Sequence, residues 1–302
     1  MIVVLIATCN RPELLSKLIR NLDKQTLIPD LVIISDASDL DKKIKKTEFQ
    51  NLKFQVTYKH SKIKSAAIQR NFALGLASKE SEFIIILDDD VIPKTNYIEK
   101  IIKNFDDESI VGVSGIAVNR TTRSKNKLSI AVQKLFFLDS QKEGSITLGG
   151  INIPFLKKQR NENKKIQADW LIGCSAWRYS AIKKLRFTNF PGQSLFEDVI
   201  FSVNASRIGK LVVDTSIRLD HIQSPIGRSN ASEFYRMWVF NRYLLVRILN
   251  NNPLRFVAFH WANFGKFLQI IVEIVCLKKH SFAKFLGFFK GYIELLNREL
   301  IK

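Results

Sequence analysis

The sequence has few cysteines, and none of them has the spacing that binds metals through thiolates. Its three cysteines are Cys9, Cys174 and Cys276, which lie far apart without any CxxC pair. An odd number of widely spaced cysteines indicates neither a disulfide framework nor a thiolate zinc site. We therefore predict buried or half-buried free thiols.

The chain also lacks recognisable targeting and membrane-spanning segments. Its start, MIVVLIATCNRPE, has no basic stretch before the apolar run and no small-residue cleavage site after it, which argues against a signal peptide. Arg255, Lys266 and Glu273 interrupt the most apolar tract. That tract therefore falls short of the ~18 uncharged residues that span a bilayer. We expect a cytoplasmic protein that can lie on the inner face of a membrane without crossing it.

Two nucleotide-binding fingerprints are absent as well. No GxGxxG follows the first apolar run, which counts against a dinucleotide-binding enzyme. No GxxxxGK[ST] occurs, which counts against a P-loop NTPase. A bound diphosphate would then be held by a metal ion and by basic side chains.

What the chain does have is apolar residues and positive charge. With 46% hydrophobic residues, its 302 residues can bury the core of one large domain, or of one domain with an appendage. The formal charge of +19 attracts polyanions, which could be nucleic acid, anionic lipid or a phosphorylated substrate. Charge alone does not choose among them.

Short β-branched runs alternate with helical patterns in the first half of the chain. The strand-like runs are 2–7, 31–35, 54–58 and 83–87, and Leu14, Leu18 and Leu22 mark the first helix between them. This alternation predicts an α/β fold with a mostly parallel central sheet. Because the runs are almost continuously apolar, we expect helices on both faces of the sheet.

Polar residues follow three of these runs. They are Thr8, Asn10 and Arg11 after the first run, Asp36 after the second, and Asp88, Asp89 and Asp90 after the fourth. Open parallel sheets bind ligands beyond the carboxyl ends of their strands. We therefore expect these residues to converge on one cleft.

The acidic triplet is the strongest chemical signal. Neighbouring carboxylates repel one another, so a divalent cation is the usual reason to gather them, and we place Asp88 and Asp90 on it. The alternative is a solvated acidic turn. Asp36 could accept a hydrogen bond from a nucleobase N–H or a ribose hydroxyl, or it could cap a helix.

Three weaker candidates lie elsewhere. Arg70 could approach a diphosphate, although an isolated arginine on a helix is often solvated. Glu197 and Asp198 begin an apolar helix, where the helix dipole alone would favour one of them. His221 follows the strand-like run LVVDTSIRLD. A lone histidine is more often a satisfied structural residue than a metal ligand.

Two later regions depart from the alternating pattern. Residues 119–168 are basic and weakly periodic and contain Gly149, Gly150 and Pro154, which indicates a long excursion from the sheet, either an acceptor loop or a mobile segment. Residues 226–302 combine 12 Lys and Arg against 4 Glu with 15 of the 32 aromatic residues. The apolar positions at helical spacing there are Phe256, Phe259, Phe267, Ile271, Ile274, Phe285, Phe289, Tyr292 and Leu296. They predict two or three amphipathic helices.

Taken in order, these segments resemble the family 2 glycosyltransferases of the GT-A fold over roughly residues 1–225. The strings that carry the resemblance are ATCNRPELLSKLIRNLDKQ, ISDASD, QRNFALG, ILDDDVIP, DWLIGCSAWRYSAIKKLRF, FEDVIFS and RLDH. They are similar to the family's opening strand and helix, base-binding turn, diphosphate-side segment, DxD metal motif, acceptor-side loop and helix, ED motif and late histidine. The family's turn often has two adjacent acids, and Ser35 stands at the first of these positions, which leaves the nucleobase preference open.

The resemblance implies an inverting enzyme that depends on a nucleotide sugar and a divalent metal, Mn²⁺ or Mg²⁺. The site residues it implies are Thr8, Asn10, Asp36, Arg70, Asp88 and Asp89 on the nucleotide sugar, Asp88, Asp90 and His221 on the metal, Asp198 as catalytic base, and Trp170 and Glu197 on the acceptor side. A UDP- or dTDP-type donor is favoured. The expected acceptor is a glycan or a lipid-linked sugar in cell-envelope polysaccharide synthesis. The multiple membrane spans of processive synthases are missing, so we expect single additions.

The predicted organisation is a catalytic domain at 1–225, with a nucleotide-sugar half at 1–118 and an acceptor half at 119–225, followed by a helical extension at 226–302. We expect the extension to bind an anionic membrane surface, while a cover on the catalytic domain or a homodimer contact remains open. One rival function is a haloacid dehalogenase-type phosphatase, because DDDVI nearly matches DxDx[TV]. Another is a basic nucleic-acid-binding or membrane-coating protein, which leaves the acidic triplet unexplained. We expect no specific nucleic-acid partner.

Overall fold

The computed structural model describes residues 1–118, 126–140, 142–155, 163–190, 195–222, 230–249 and 252–299. Its strands are β1 (Ile2–Thr8), β2 (Leu31–Asp36), β3 (Gln55–His60), β4 (Phe83–Asp88), β5 (Val91–Pro93), β6 (Ile110–Ala117), β7 (Lys165–Ala168), β8 (Ser175–Arg178) and β9 (Lys210–His221). Its α-helices are α1 (Pro12–Leu22), α2 (Ala66–Gly75), α3 (Tyr97–Ile102), α4 (Lys127–Leu135), α5 (Tyr179–Ile182), α6 (Glu197–Ser206), α7 (Ala231–Ile248), α8 (Leu254–Val275) and α9 (Ser281–Glu299). Contacts divide the chain into a sheet unit, Met1–Thr122 with Phe155–Gly227, and a helical unit, Arg123–Pro154 with Arg228–Lys302.

The sheet unit is built on one sheet with strand order β3-β2-β1-β4-β8-β6-β9-β5, and β7 also pairs with β9. Strands β1 to β4 pair in parallel. Strand β8 is antiparallel to both β4 and β6, and β6 is parallel to β9. Six strands therefore run in one direction, and β5, β7 and β8 run in the other. The predicted α/β fold with a mostly parallel sheet is confirmed, as are its first four strands.

Both faces of this sheet are covered, as the continuous apolar runs predict. Val4 and Ile6 of β1 pack into one hydrophobic cluster, while Val3 and Leu5 pack into another on the opposite face. All four side chains are at most 1% exposed. Each buried aliphatic side chain of this size stabilises the fold by about 1.5–3 kcal/mol. Burial on alternate sides of one strand thus fixes the sheet between two apolar layers.

The strand register aligns the polar residues that follow the strands. Thr8 at the end of β1 lies opposite Asp36 at the end of β2. On the other side of β1, Ala7 lies opposite Asp88 at the end of β4. Three predicted site residues therefore share one edge of the sheet.

Helix α2 carries a buried polar face rather than a solvated one. Ser65 caps it by accepting a hydrogen bond from the N–H of Ile68 at 3.4 Å. Gln69 and Arg70 are only 3% and 6% exposed. The alternative of a solvated Arg70 is therefore wrong, because the helix presents this side chain to carboxylates inside the sheet unit.

The helical unit contains α4, α7, α8 and α9. Helix α4 lies inside the segment 119–168, where the weak periodicity predicted no helix. Asn126 caps it by accepting from the N–H of Ser129 at 2.7 Å, and Leu128, Val132 and Leu135 recur at helical spacing. Residues 119–125, 141 and 156–162 of that segment lie outside the described residues.

The predicted C-terminal helices are confirmed, and the described residues of this region form three of them. Asn230 begins α7 by accepting from the N–H of Glu233 at 2.9 Å. The core of the unit is aromatic and aliphatic, formed by Tyr235, Val239, Phe240, Tyr243, Val246, Phe259, Ile270, Phe288 and Leu295. Within the described ranges, no helix combines the length and the hydrophobicity needed to cross a membrane.

Candidate active site

The acidic triplet forms a turn between β4 and β5, and the sheet brings a histidine to it. In the antiparallel pair of β5 with β9, Val91 lies opposite His221. The N–H of Ile222 donates to the carbonyl of Asp90 at 2.7 Å, and His221 Nε2 lies 3.5 Å from Asp90 Oδ1. The strand register therefore explains why a histidine 131 residues further along the chain reaches Asp90.

Asp88, Asp90 and His221 form a cluster that fits a divalent cation. One ligand atom from each lies within 4.8 Å of the other two. Burial raises the pKa of Asp90, and the neighbouring charge of Asp88 acts in the same direction while His221 opposes it. Carboxylate oxygens and imidazole are suitable donors for Mn²⁺, and a cation would offset the repulsion between the two acids. The donor set thus fits the predicted metal.

Asp89 has a different set of partners. It is 4% exposed, and its carboxylate accepts from Thr8 Oγ1 and from Arg11 Nη1, both at 2.7 Å. Arg11 also reaches Asp90 Oδ2 at 3.4 Å. These bonds tie the end of β1 to the acidic turn. Arg11 was predicted to lie in the cleft, three residues after β1 ends, but no role was predicted for it.

Arg70 joins the acidic turn to helix α6. Its Nη2 donates to Asp88 Oδ1 at 2.6 Å, and its Nη1 donates to Glu197 Oε1 at 2.9 Å. Burial disfavours the charged guanidinium, but nearby carboxylates outweigh it and raise the pKa of Arg70. The backbone of Gly173 runs beside this pair, since a Cβ there would lie 3.3 Å from Arg70 Nη2. The arrangement leaves room only for glycine without a shift of the neighbouring atoms.

The first turn of α6 holds two further carboxylates. Phe196, which precedes the helix, has a left-handed φ of 73°. Glu197 is 7% exposed, and burial together with Asp198 raises its pKa to about 7 while Arg70 acts against them. Asp198 Oδ1 accepts from the N–H of Val199 at 2.8 Å, and burial raises the pKa of Asp198 as well. Both predicted residues therefore lie in the same charged cluster as Asp88.

The predicted base-binding turn is rigidly held. Asp36 is 1% exposed, and its Oδ1 accepts from the N–H of Ser38 at 2.7 Å. Its Oδ2 accepts from the hydroxyl of Tyr58 at 2.6 Å. Asp36 therefore closes a local turn rather than capping a helix. Burial and Asp36 raise the pKa of Tyr58, a partner on β3 that the sequence did not reveal.

The loops after β1 and β2 are joined through Asn10. This residue has a left-handed φ of 57°, and its N–H donates to Ser38 Oγ at 2.6 Å. Asn10 and Asp39 exchange two hydrogen bonds of 2.9 Å, and Lys64 Nζ lies 2.6 Å from Asp39. A side-chain hydrogen bond from Lys64 lowers the pKa of Asp39. The predicted residue Asn10 thus organises the loop that follows Asp36.

Gln69 and Trp170 complete the surroundings. Gln69 Nε2 donates to the carbonyls of Thr8 and Ser35 at 2.8 and 2.7 Å, which ties the ends of β1 and β2 together. Gln69 lies in the QRNFALG string, but its role was not foreseen. Trp170, predicted on the acceptor side, is 4% exposed and follows β7. The next residue is fixed to α6, where the N–H of Leu171 donates to the hydroxyl of Ser202 at 3.0 Å.

Comparisons with known proteins agree with this fold. The description "Glycosyl transferase family 2" matches residues 3–186. A fragment of S. aureus TarS in complex with UDP-GlcNAc is similar in structure, with a TM-score of 0.53 and 16% identity, covering 89% of this chain and 72% of that one. The mannosyltransferase PcManGT from Pyrobaculum calidifontis, in complex with GDP-Man and Mn²⁺, has a TM-score of 0.55 and 12% identity, covering 98% of this chain and 86% of that one. Curated proteins gave no match.

Proposed function

Because this chain belongs to glycosyl transferase family 2, and is therefore a glycosyltransferase, we propose that it moves a sugar from a nucleoside diphosphate to an acceptor hydroxyl with inversion. The observation that carries the proposal is the pair of ion pairs that Arg70 forms with Asp88 and Glu197. They join the end of β4 to the first turn of α6. Donor-side and acceptor-side groups are thereby held in one cluster. The family assignment favours transfer over the phosphatase and non-catalytic alternatives.

The donor is a nucleotide sugar, preferentially of the UDP or dTDP type. The TarS structures contain UDP-GlcNAc or UDP, and the mannosyltransferase contains GDP-Man, which supports the class without fixing the base. Thr8, Asn10 and Asp36 are the proposed nucleoside contacts. Each oxygen of Asp36 keeps a second acceptor position beside its bond to Ser38 or Tyr58. That capacity suits a base N–H or a ribose hydroxyl.

Asp88, Asp90 and His221 are the residues that would hold the metal, with Asp89 completing the turn. A divalent cation bound there supplies positive charge for the oxygens of the diphosphate. The Mn²⁺ in the mannosyltransferase structure supports this choice. Arg70 fixes Asp88 through its 2.6 Å bond and adds a positive charge on the same side. Preorganised charge of this kind stabilises a leaving group without further rearrangement.

Asp198 is the proposed general base. It takes the proton of the acceptor hydroxyl while that oxygen forms a bond to the anomeric carbon and the bond to the nucleoside diphosphate breaks. A single displacement of this kind inverts the anomeric centre. Burial raises the pKa of Asp198, which makes its carboxylate a stronger base. Glu197 and Trp170 are proposed to position the acceptor.

The acceptor is proposed to be a glycan or a lipid-linked sugar of the cell envelope, met on the inner face of the membrane. The basic and aromatic composition of residues 226–302 supports this location. A homodimer through the C-terminal helices is the alternative use of the same residues.

The proposal is tested with the full chain, Mn²⁺ and a panel of UDP-, dTDP- and GDP-sugars. Release of the nucleoside diphosphate is measured with soluble sugars and with lipid extracts as acceptors, and the product's anomeric configuration is read by NMR. We expect one donor class to be consumed in an acceptor-dependent way, with inversion. A product that keeps the donor's configuration, or release unchanged when Asp198 and Asp88 are both replaced by alanine, would overturn the proposal.

A further inference from the structure

Helix α8 exposes an apolar side that carries no formal charge. The large apolar side chains on it are Leu254, Val257, Trp261, Phe264, Leu268, Val272 and Val275, each at least 39% exposed. They follow one another at intervals of three or four residues, so they form a single stripe. The stripe runs the length of the 22-residue helix, or about 33 Å at 1.5 Å per residue.

The charged residues of α8 lie on the opposite side of the helix. Arg255, Lys266 and Glu273 are partly buried. Arg255 donates to the carbonyl of Thr147, and Glu273 accepts from Lys284 of α9 at 2.6 Å. A surface helix ordinarily turns its charges to water and its apolar side to the core. Helix α8 buries apolar residues as well, so it is apolar on two sides.

Helices α9 and α4 extend this surface. The exposed apolar residues are Phe282, Leu286, Phe289, Ile293 and Leu296 on α9, and Leu128, Val132 and Leu135 on α4. We call these residues and the α8 stripe together the apolar surface. Trp261 Nε1 donates to the carbonyl of Leu135 at 2.8 Å, which joins α4 to α8. The rings of Phe267 and Phe289 are 5.9 Å apart, which joins α8 to α9.

Basic side chains border this surface, and three described acids of α7, α8 and α9 have basic partners. Lys127, Lys278, Lys279 and Lys290 are exposed at the start of α4, in the α8–α9 turn and on α9. Glu233 and Glu294 both contact Arg236, and Glu273 contacts Lys284. An apolar surface bordered by exposed cations is complementary to a layer of anionic headgroups over hydrocarbon.

We propose that the apolar surface of α4, α8 and α9 lies in the interface of an anionic lipid bilayer, with α8 parallel to the membrane plane. A second copy of the chain fits less well, because each copy carries +19 and their basic borders would repel. The apolar surface also exposes fifteen large apolar side chains, which makes it larger than the apolar patches that monomeric proteins usually expose to water. The surface deepens the proposed function by naming where a lipid-linked acceptor is met, and bilayer binding is measured without any transfer.

The test uses full-length chain and vesicles of phosphatidylcholine, with or without phosphatidylglycerol. The variant Val257→Ser/Leu268→Ser/Val272→Ser should lower binding to anionic vesicles by about tenfold or more, since three apolar side chains no longer enter the interface. The matched control Leu40→Ser/Ile63→Ser/Ile208→Ser removes three exposed apolar residues from the sheet unit and should bind like the unsubstituted chain. Equal losses in both variants, or no loss in the first, would overturn the proposal.

Trp261 gives a second readout, because it is 41% exposed, whereas Trp170 and Trp177 are buried and Trp238 is partly buried against Arg242. Brominated lipids should quench the fluorescence of the unsubstituted chain, and Trp261→Phe should remove most of that quenching. A stripe variant that changes a dimer to a monomer while vesicle binding stays intact would assign the surface to a second copy instead. UDP binding is measured on the same samples, which separates the bilayer proposal from the proposed function. Failure to bind UDP would count against the proposed function and would leave the vesicle result standing.

Discussion

The two units of this molecule depart from ordinary side-chain burial in opposite directions. The sheet unit buries charge, with Asp36, Arg70, Asp89, Asp90 and Glu197 all less than 9% exposed. The helical unit instead exposes large apolar residues along α4, α8 and α9. Charged groups are seldom fully buried, and extended apolar patches are seldom left in water. Each departure costs stability, and each supplies what a binding surface needs. The sheet unit supplies oriented charge, and the helical unit supplies apolar area that binding would remove from water.

Two buried arginines show the same contrast on a smaller scale. Arg70 is surrounded by carboxylates, which raise its pKa. Arg242 in the helical unit is 0% exposed, and burial lowers its pKa. Its guanidinium carbon lies 3.7 Å from the ring centre of Trp238 and 4.7 Å from that of Phe259, and it also donates to Asn263. Aromatic rings therefore offset the burial of the Arg242 cation, whereas ion pairs offset the burial of the Arg70 cation.

The largest expected effect comes from removing Arg70. Arg70→Met leaves Asp88 and Glu197 buried without their partner, and we expect the free energy of unfolding to fall by about 3–5 kcal/mol. Arg242→Met also removes a cation, but no described carboxylate forms an ion pair with Arg242, so the free energy of unfolding should fall by no more than about 2 kcal/mol. Urea denaturation in EDTA measures both.

Arg20→Met is the exposed control for this pair. Arg20 lies 3.6 Å from Glu48, and its side chain is 49% exposed, so we expect a change of at most about 1 kcal/mol. Equal losses for Arg70→Met and Arg242→Met would break the comparison between the units, since the carboxylates would then have no special need for Arg70.

The next effect concerns catalysis. Asp198→Asn keeps the size of the side chain but cannot take a proton, and we expect transfer to fall by about 10² to 10⁴ while donor affinity changes little. Glu197→Gln keeps an oxygen that can accept a hydrogen bond from Arg70, so the rate of transfer should fall less than in Asp198→Asn. Initial rates of nucleoside diphosphate release, together with donor titrations, separate the two variants. A near-normal rate in Asp198→Asn would remove this residue from the mechanism.

A smaller effect tests the packing beneath the apolar surface. A Cβ at Gly265 of α8 would lie 2.3 Å from Phe136 Cγ, so Gly265→Ala should destabilise the helical unit by about 1–3 kcal/mol. Gly75 at the end of α2 has no atom within 4 Å of its added Cβ. Gly75→Ala should therefore leave stability unchanged or raise it by up to about 1 kcal/mol. Thermal unfolding compares the two, and a destabilising Gly75→Ala would show that open space alone does not predict tolerance.

The sheet was predictable from the sequence because β1, β2 and β4 are almost continuously apolar and end in polar residues. Continuous runs such as 83–87 predict a strand covered on both faces, and the register then places Thr8, Asp36 and Asp88 at one edge. The approach of His221 to Asp90 was not predictable from periodicity, because it depends on the pairing of β5 with β9.

Other features escaped the sequence because their partners are distant along the chain. In the sequence Arg70 looks like an ordinary helical arginine, because its partner Glu197 lies 127 positions further along the chain. Tyr58 lies in a strand whose apolar pattern gives no sign of its bond to Asp36. Helix α4 escaped notice because Leu128, Val132 and Leu135 recur at helical spacing over only eight positions.

The central claim is that the strand-end acids bind a nucleotide diphosphate together with a divalent cation. The most direct test is calorimetric titration of the full chain with UDP, in Mn²⁺ and in EDTA. We expect Mn²⁺ to strengthen binding at least about tenfold, or 1.4 kcal/mol. Asp88→Ala/Asp90→Ala should abolish this gain, while Asp41→Ala/Glu108→Ala, which removes two exposed acids of the sheet unit, should retain it. Equal UDP binding in Mn²⁺ and in EDTA would contradict the account.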